Sequence, residues 1–99
     1  MKVRQIGNHK TIISRDNNAI SVRYHNTDVV KVNKNDITLD NGGFYTATTK
    51  RRMNQASIQW ELGIVVYQVN WEWYVKTKKD IYPYYNGMVI NSKTGALKI

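Results

Sequence analysis

Cysteine is absent from the 99 residues. Disulfides, thiolate metal ligands and cysteine nucleophiles are excluded together, and the absence suits a reducing compartment. Proline occurs once, at Pro83. No apolar run approaches the roughly 20 residues that a membrane-spanning helix needs, so no membrane span is expected. Met1 to Gln5 leads into no apolar segment of the kind a signal peptide carries. Histidine is confined to His9 and His25, each in or beside a turn with no partner at ligand or triad spacing. Acids are scarce, and Asp16, Asp28, Asp36 and Asp40 fall in turns, where the short side chain bonds its own backbone. Glu61, Glu72 and Asp80 are dispersed. No pair reads as an acid–base couple, and no metal motif, phosphate loop or nucleophile elbow occurs. The chain is therefore expected not to be an enzyme and to carry no metal or cofactor.

What is present in excess is positive charge. Lys and Arg number 15 against 7 Asp and Glu, a net charge of +8 with a pI near 9.8. Such a balance favours polyanionic partners: nucleic acid, nucleotides or an acidic protein surface. No acid occurs from Met1 to Arg15 or from Asn41 to Trp60. Cations gather at Lys2, Arg4, Lys10 and Arg15, at Lys50 to Arg52, and at Lys76, Lys78 and Lys79. They either converge on one basic groove or scatter and serve solubility. With 41% hydrophobic residues the chain is globular. Its length fits one domain with a modest core, set at residues 1–91, with 92–99 expected to fray.

Short alternating segments separated by turn residues fill the first 40 positions. Val3 to Ile6 and Thr11 to Ile13 read as strands, with turns at Gly7-Asn8 and Asp16 to Asn18. Ala19 to His25 alternates most clearly: Ile20, Val22 and Tyr24 face one way, Ser21, Arg23 and His25 the other. Val29 to Val32 and Ile37 to Leu39 follow. Ile64 to Val75 has apolar residues at every odd position from Val65 to Val75. It is either one long strand or, preferred on length, a hairpin turning near Asn70 that pairs Tyr67 with Trp73 and Val65 with Val75. Ile81 to Tyr85 contains Pro83 and so is an edge strand or a loop. Met88 to Ile90 is a last short strand. The expected class is α+β: an antiparallel, strongly twisted sheet or partly closed barrel of short strands packed against one helix at about 48–61.

That helix lies in the stretch around which the chain is organised, Asp40 to Trp60. Asn41-Gly42-Gly43 signals a turn. Thr48 or Thr49 is the expected N-cap. At 100° per residue, Thr49, Met53, Ala56 and Trp60 share the face that packs, while Arg51, Arg52, Gln55 and Gln59 share another, and Ile58 lies opposite the apolar stripe. Gly63 is the expected C-terminal cap. A helix start carries partial positive charge and favours acids, yet here Lys50, Arg51 and Arg52 stand there alone. Free N–H groups, the Gly42-Gly43 pair, Thr46, Thr48, Thr49, the cations and Gln55 together describe a seat for a phosphate or carboxylate. Arg23, Lys76, Lys78 and Lys79 are expected to assist. Tyr82, Tyr84 and Tyr85, among cations, either stack bases, form a protein interface or pack in the core.

The run from Leu39 to Gln55 reads L-x-x-G-G-x-x-T-x-T-T-x-x-R-M-N-Q. With Tyr24-His25-Asn26-Thr27, Leu62-Gly63, Val66-Tyr67-Gln68 and Trp73-Tyr74-Val75 it resembles a family of small proteins of tailed bacteriophages, over roughly residues 6–90. The resemblance implies a phage accessory protein acting in the host cytoplasm and carries no catalytic residue with it. The expected function is non-enzymatic binding of an anionic ligand, nucleic acid foremost, through the basic helix start. The alternative, drawn from the phage resemblance, is a counter-defence factor that inhibits a host immune protein, for example a CRISPR nuclease, or sequesters a nucleotide signal. Self-association into a homo-oligomer stays open.

Overall fold

The structure, a computed structural model, describes residues 10–16 and 19–98. The expected strand at Val3 to Ile6, the turn at Gly7-Asn8, His9, the cations Lys2 and Arg4, and the Asn17-Asn18 turn lie outside the described residues. Nine strands and one helix follow in the order β1 (Thr11–Asp16), β2 (Ala19–Tyr24), β3 (Thr27–Asn33), β4 (Asp36–Leu39), α1 (Ala47–Gln59), β5 (Val65–Val69), β6 (Glu72–Lys76), β7 (Ile81–Pro83), β8 (Met88–Asn91) and β9 (Leu97–Lys98). All the pairings are antiparallel. The strands form two open sheets, ordered β1-β2-β3-β4-β8-β9 and β5-β6-β7, rather than one closed barrel. The class is α+β, as the pattern of short strands around one helix predicts.

Alternation explains the larger sheet. Val22, Val30, Ile37, Leu39, Met88 and Ile90 are buried on the face that meets α1 and the smaller sheet. Each fully buried aliphatic side chain contributes about 1.5–3 kcal/mol relative to exposure. Arg23, Lys31 and Lys98 alternate onto the other face and are exposed. One irregularity matters for the site. The β2–β3 register shifts after Val22, which pairs with Val30, whereas Arg23 pairs with Asp28. Val29 is the extra residue of this bulge, so Val29 and Val30 are both buried.

The smaller sheet corrects the register expected from odd-position alternation. The connection is a two-residue turn, Asn70-Trp71, with both residues at positive φ, 51° and 70°. That is the backbone of a type I′ hairpin turn. It pairs Tyr67 with Tyr74 and Val66 with Val75. The inward parity therefore changes across the turn: Val66 is buried on β5, and Trp73 and Val75 on β6. Val65, Val69 and Trp71, expected on the inner face, are exposed, Trp71 to 88%.

α1 packs on β2, β3 and β5. Thr49, Met53 and Ala56 are buried and Trp60 is half-buried against the core, the face expected from spacing. The N-cap is Thr46, ahead of the expected Thr48 or Thr49; its Oγ1 accepts from the Thr49 N–H at 3.2 Å. At the other end the cap is not Gly63. Glu61 takes the left-handed position (φ 52°) and the Leu62 N–H donates back to Ser57 C=O at 2.9 Å, a Schellman closure. Two helix side chains also cover the edge of β5. Asn54 both donates to and accepts from the Val66 backbone, and Ser57 Oγ does the same for Ile64. An edge strand finished by side-chain amide and hydroxyl groups offers no template for pairing there.

Of the segment 92–99, expected to fray, the described residues 92–98 are tied back. β9 pairs with β8, and Lys98 Nζ donates to Asp36 at 3.1 Å. Gly95 has φ 79° and donates its N–H to Asn91 C=O, while its own C=O accepts from Thr77 Oγ1 at 2.7 Å. A Cβ there would lie 2.8 Å from Thr77 Oγ1, so the position requires glycine.

Candidate functional site

The site begins with a tight turn. Gly42 and Gly43 have φ of 65° and 89°, and the Phe44 N–H donates to Asn41 C=O at 3.0 Å. A Cβ on Gly42 would overlap the Thr27 side chain, so glycine lets this turn press against the β2–β3 corner. The Gly-Gly amides are not an open anion nest. The Gly42 N–H donates to Asp40 Oδ1 and the Gly43 N–H to Asn41 Oδ1, both at 2.8 Å. The turn then lifts Phe44, which is 66% exposed, and sets Tyr45 edge-on against Trp73, 4.9 Å between centroids.

Between the turn and the β2–β3 corner lies a cavity of about 340 Å³, lined by Tyr24, His25, Asn26, Thr27, Val29, Asn41, Phe44, Thr46 and Thr49. No acid lines it. Asn41 is 2% exposed. Its backbone N–H donates to Asn86 Oδ1, and its side-chain Oδ1 is held by the Gly43 N–H. That bond fixes which end of the amide is oxygen. The remaining end, Nδ2, is a buried donor with no partner among the described residues. An unmet buried donor costs about 1–3 kcal/mol.

The helix start borders this cavity through Thr46 and Thr49, whose hydroxyls lie 2.9 Å apart. No acid occupies the first turn. No side chain among the described residues accepts from the N–H of Ala47 or Thr48, the donors a helix start leaves open. The cations expected around it diverge. Arg51 is exposed. Lys50 leans over β5 and β6, donating to Gln68 Oε1 at 2.9 Å and lying 5.4 Å from the Trp73 ring centroid. Lys50, Arg51 and Gln55, with Ile58, Tyr67 and Gln68, line a shallow groove of about 540 Å³ between helix and β5. Arg52 turns inward: it is 6% exposed, donates to Thr11 Oγ1 and Gln55 Oε1, and stands 5.6 Å from the Tyr24 ring. It thus puts positive charge behind one wall of the cavity, instead of presenting it on the surface.

Other residues expected at the site lie elsewhere. Arg23 is on the opposite face of the larger sheet, paired with Asp28 at 3.0 Å. β5 runs back along α1, so Gln68 meets Lys50 near the helix start while Ile64 meets Ser57 near its end. Lys76 pairs with Val65, and Lys78 and Lys79 follow it, at the far end of a helix about 20 Å long. Lys76, Lys78 and Lys79 therefore do not converge with the cations of the helix start, whereas Lys10 lies beside His25 and Asn26 at the cavity's corner. Tyr84 is a core residue against Trp73, its hydroxyl donating to Asn86 Oδ1 at 2.7 Å; burial pushes its pKa up from 10.0. Tyr85 is exposed in the turn before β8. What sequence reasoning missed is the cavity itself: Tyr24, Asn26, Thr27, Val29, Asn41 and Phe44. Its one available signal was that Tyr24 to Thr27 and Leu39 to Gln55 both carry the phage resemblance, and these two stretches meet here.

No helix among the described residues is long and apolar enough to cross a membrane, and no group of three or more acid or imidazole side chains among them is placed to hold a metal. No curated protein and no solved structure matches the chain. A family described as Kyanoviridae Gp96 protein matches residues 1–91, and the chain belongs to that family.

Proposed function

We propose that this bacteriophage protein is a non-enzymatic binding protein for an anionic ligand, nucleic acid foremost, seated at the start of α1. The observation that carries the reading is the helix start: its first turn holds no acid, no side chain among the described residues accepts from the Ala47 and Thr48 N–H groups, and a cavity with no acid in its lining opens beside it. Aligned peptide dipoles place about half a positive charge there, and anions near it gain about 0.3–1 kcal/mol, more when partly buried. Arg51 and the net charge of +8 add a long-range attraction.

Fluorescence anisotropy of a labelled single-stranded oligonucleotide at stepped salt concentrations tests this. Affinity is expected to fall with salt by a slope of about −0.7 per phosphate neutralised, and Arg51→Glu is expected to weaken binding at low salt. Absence of binding at low salt, or affinity indifferent to salt, overturns the proposal.

A second reading has its own observation. The outer face of the smaller sheet exposes Val65, Val69 and Ile81, with Trp71 at the hairpin tip. Such a surface suits a protein partner, and a host defence protein is the class the phage origin favours. Binding through that face would respond to Trp71→Ala and hardly to salt.

A further inference from the structure

We infer that the cavity beside the helix start takes a single nucleobase, with the phosphate of the same nucleotide at the first turn of α1. This deepens the anionic-ligand reading and rests on it. Three features select the ligand. The cavity, about 340 Å³, lies at the small end of ligand pockets and suits one ring system. Three of its lining residues carry planar rings, Tyr24, His25 and Phe44, on which a flat ring can stack, and Val29 adds apolar surface. Its polar lining is Asn26, Thr27, Thr46 and Thr49, which suits a ring with hydrogen-bonding groups at its edge, a carbonyl oxygen or ring nitrogen among them.

Simpler ligands use less of the site. A bare phosphate would occupy the helix start and leave the ring walls unused. An apolar ring would fill the cavity without bonding its polar lining at Asn26, Thr27 and Thr46. A nucleotide meets both halves: an acceptor-bearing planar ring for the cavity and a phosphate for the N–H groups of Ala47 and Thr48. The absence of any acid in the lining and the Arg52 guanidinium behind Tyr24 favour that charge. The nucleotide comes either from an unstacked position in a single strand or free in solution; the chemistry recognised is the same.

The test uses the full chain and three probes: a single-stranded oligonucleotide of one base type, an abasic sugar–phosphate strand of equal length, and the free nucleoside monophosphate. The base-bearing strand is expected to bind about tenfold or more tightly than the abasic one. Phe44→Ala removes one wall at a position exposed enough to leave the core intact. It is expected to reduce the base-bearing strand to the abasic level while leaving abasic affinity unchanged. If the monophosphate alone raises the melting temperature of the wild type and not of Phe44→Ala, the cavity assignment holds and the source is free nucleotide. Equal affinity for base-bearing and abasic strands overturns the base cavity and leaves the phosphate seat standing. A preference for bases that survives Phe44→Ala also overturns it. No binding of any probe removes both readings.

Discussion

Arg52 donates two hydrogen bonds inside the protein and stands 5.6 Å from the Tyr24 ring centroid, a cation–ring contact, so its charge is a structural part. Truncation removes charge-assisted bonds together with the packing of the aliphatic stem. Arg52→Ala is expected to lower stability by about 1–3 kcal/mol, read from the denaturant midpoint. Arg52→Lys should recover little of this, because an ammonium cannot serve Thr11 and Gln55 in the same plane. In the sequence, Arg52 and Arg51 look equivalent, and only the pitch of the helix against β1 separates them. Tyr84 supplies a second residue-scale outcome. Burial raises its pKa above the unfolded value of 10.0. Below that value both states keep the proton and the stability is whole. As pH rises past it, the unfolded chain releases the proton first, so stability is lost. Thermal melts of wild type and Tyr84→Phe should diverge in slope above about pH 10, with the variant less sensitive. Parallel curves would show that the hydroxyl is not held from water as described.

At the scale of elements, α1 is the best test of how far local signals reach. Its buried face was legible because Thr49, Met53, Ala56 and Trp60 repeat at helical spacing. Its start was not, because three threonines compete for the cap within four residues and only the backbone at Thr46, extended at φ −108° and ψ 158°, decides between them. Its end was assigned to the nearest glycine, whereas the left-handed residue is Glu61. That position carries both a Cβ and a negative charge at a negative helix end. Glu61→Gly is expected to stabilise by about 0.5–1 kcal/mol, seen as a higher melting temperature. The β5–β6 hairpin fails in a different way. Alternation at Val65, Tyr67 and Val69 is real, but the exposed set lies on it, because a two-residue turn exchanges parity between the strands. That β2, β3 and β4 are short strands of an antiparallel sheet followed from alternation and turn residues alone. The docking of 92–98 did not, since it rests on Thr77 and Gly95 meeting across 18 positions.

At the scale of the whole molecule, Arg23 lies on one sheet face, Lys76 to Lys79 at the far end of the helix, and Arg52 inside. A composition records the sum of charges and not their placement, which is why the net bias was legible and the separation of these cations was not. What stays together is the helix start, the corner at Tyr24 to Thr27 and the turn at Asn41 to Phe44. Binding is therefore expected to be local, one nucleotide deep, with salt steering the approach. Ala47→Glu tests this most directly. Ala47 is exposed and opens the first turn, where a carboxylate completes the helix dipole and occupies the place reserved for an anion. The account predicts that stability rises by about 0.3–1 kcal/mol while affinity for a single-stranded oligonucleotide at low salt falls by about fivefold or more. A variant that is more stable and binds as tightly as the wild type would contradict it.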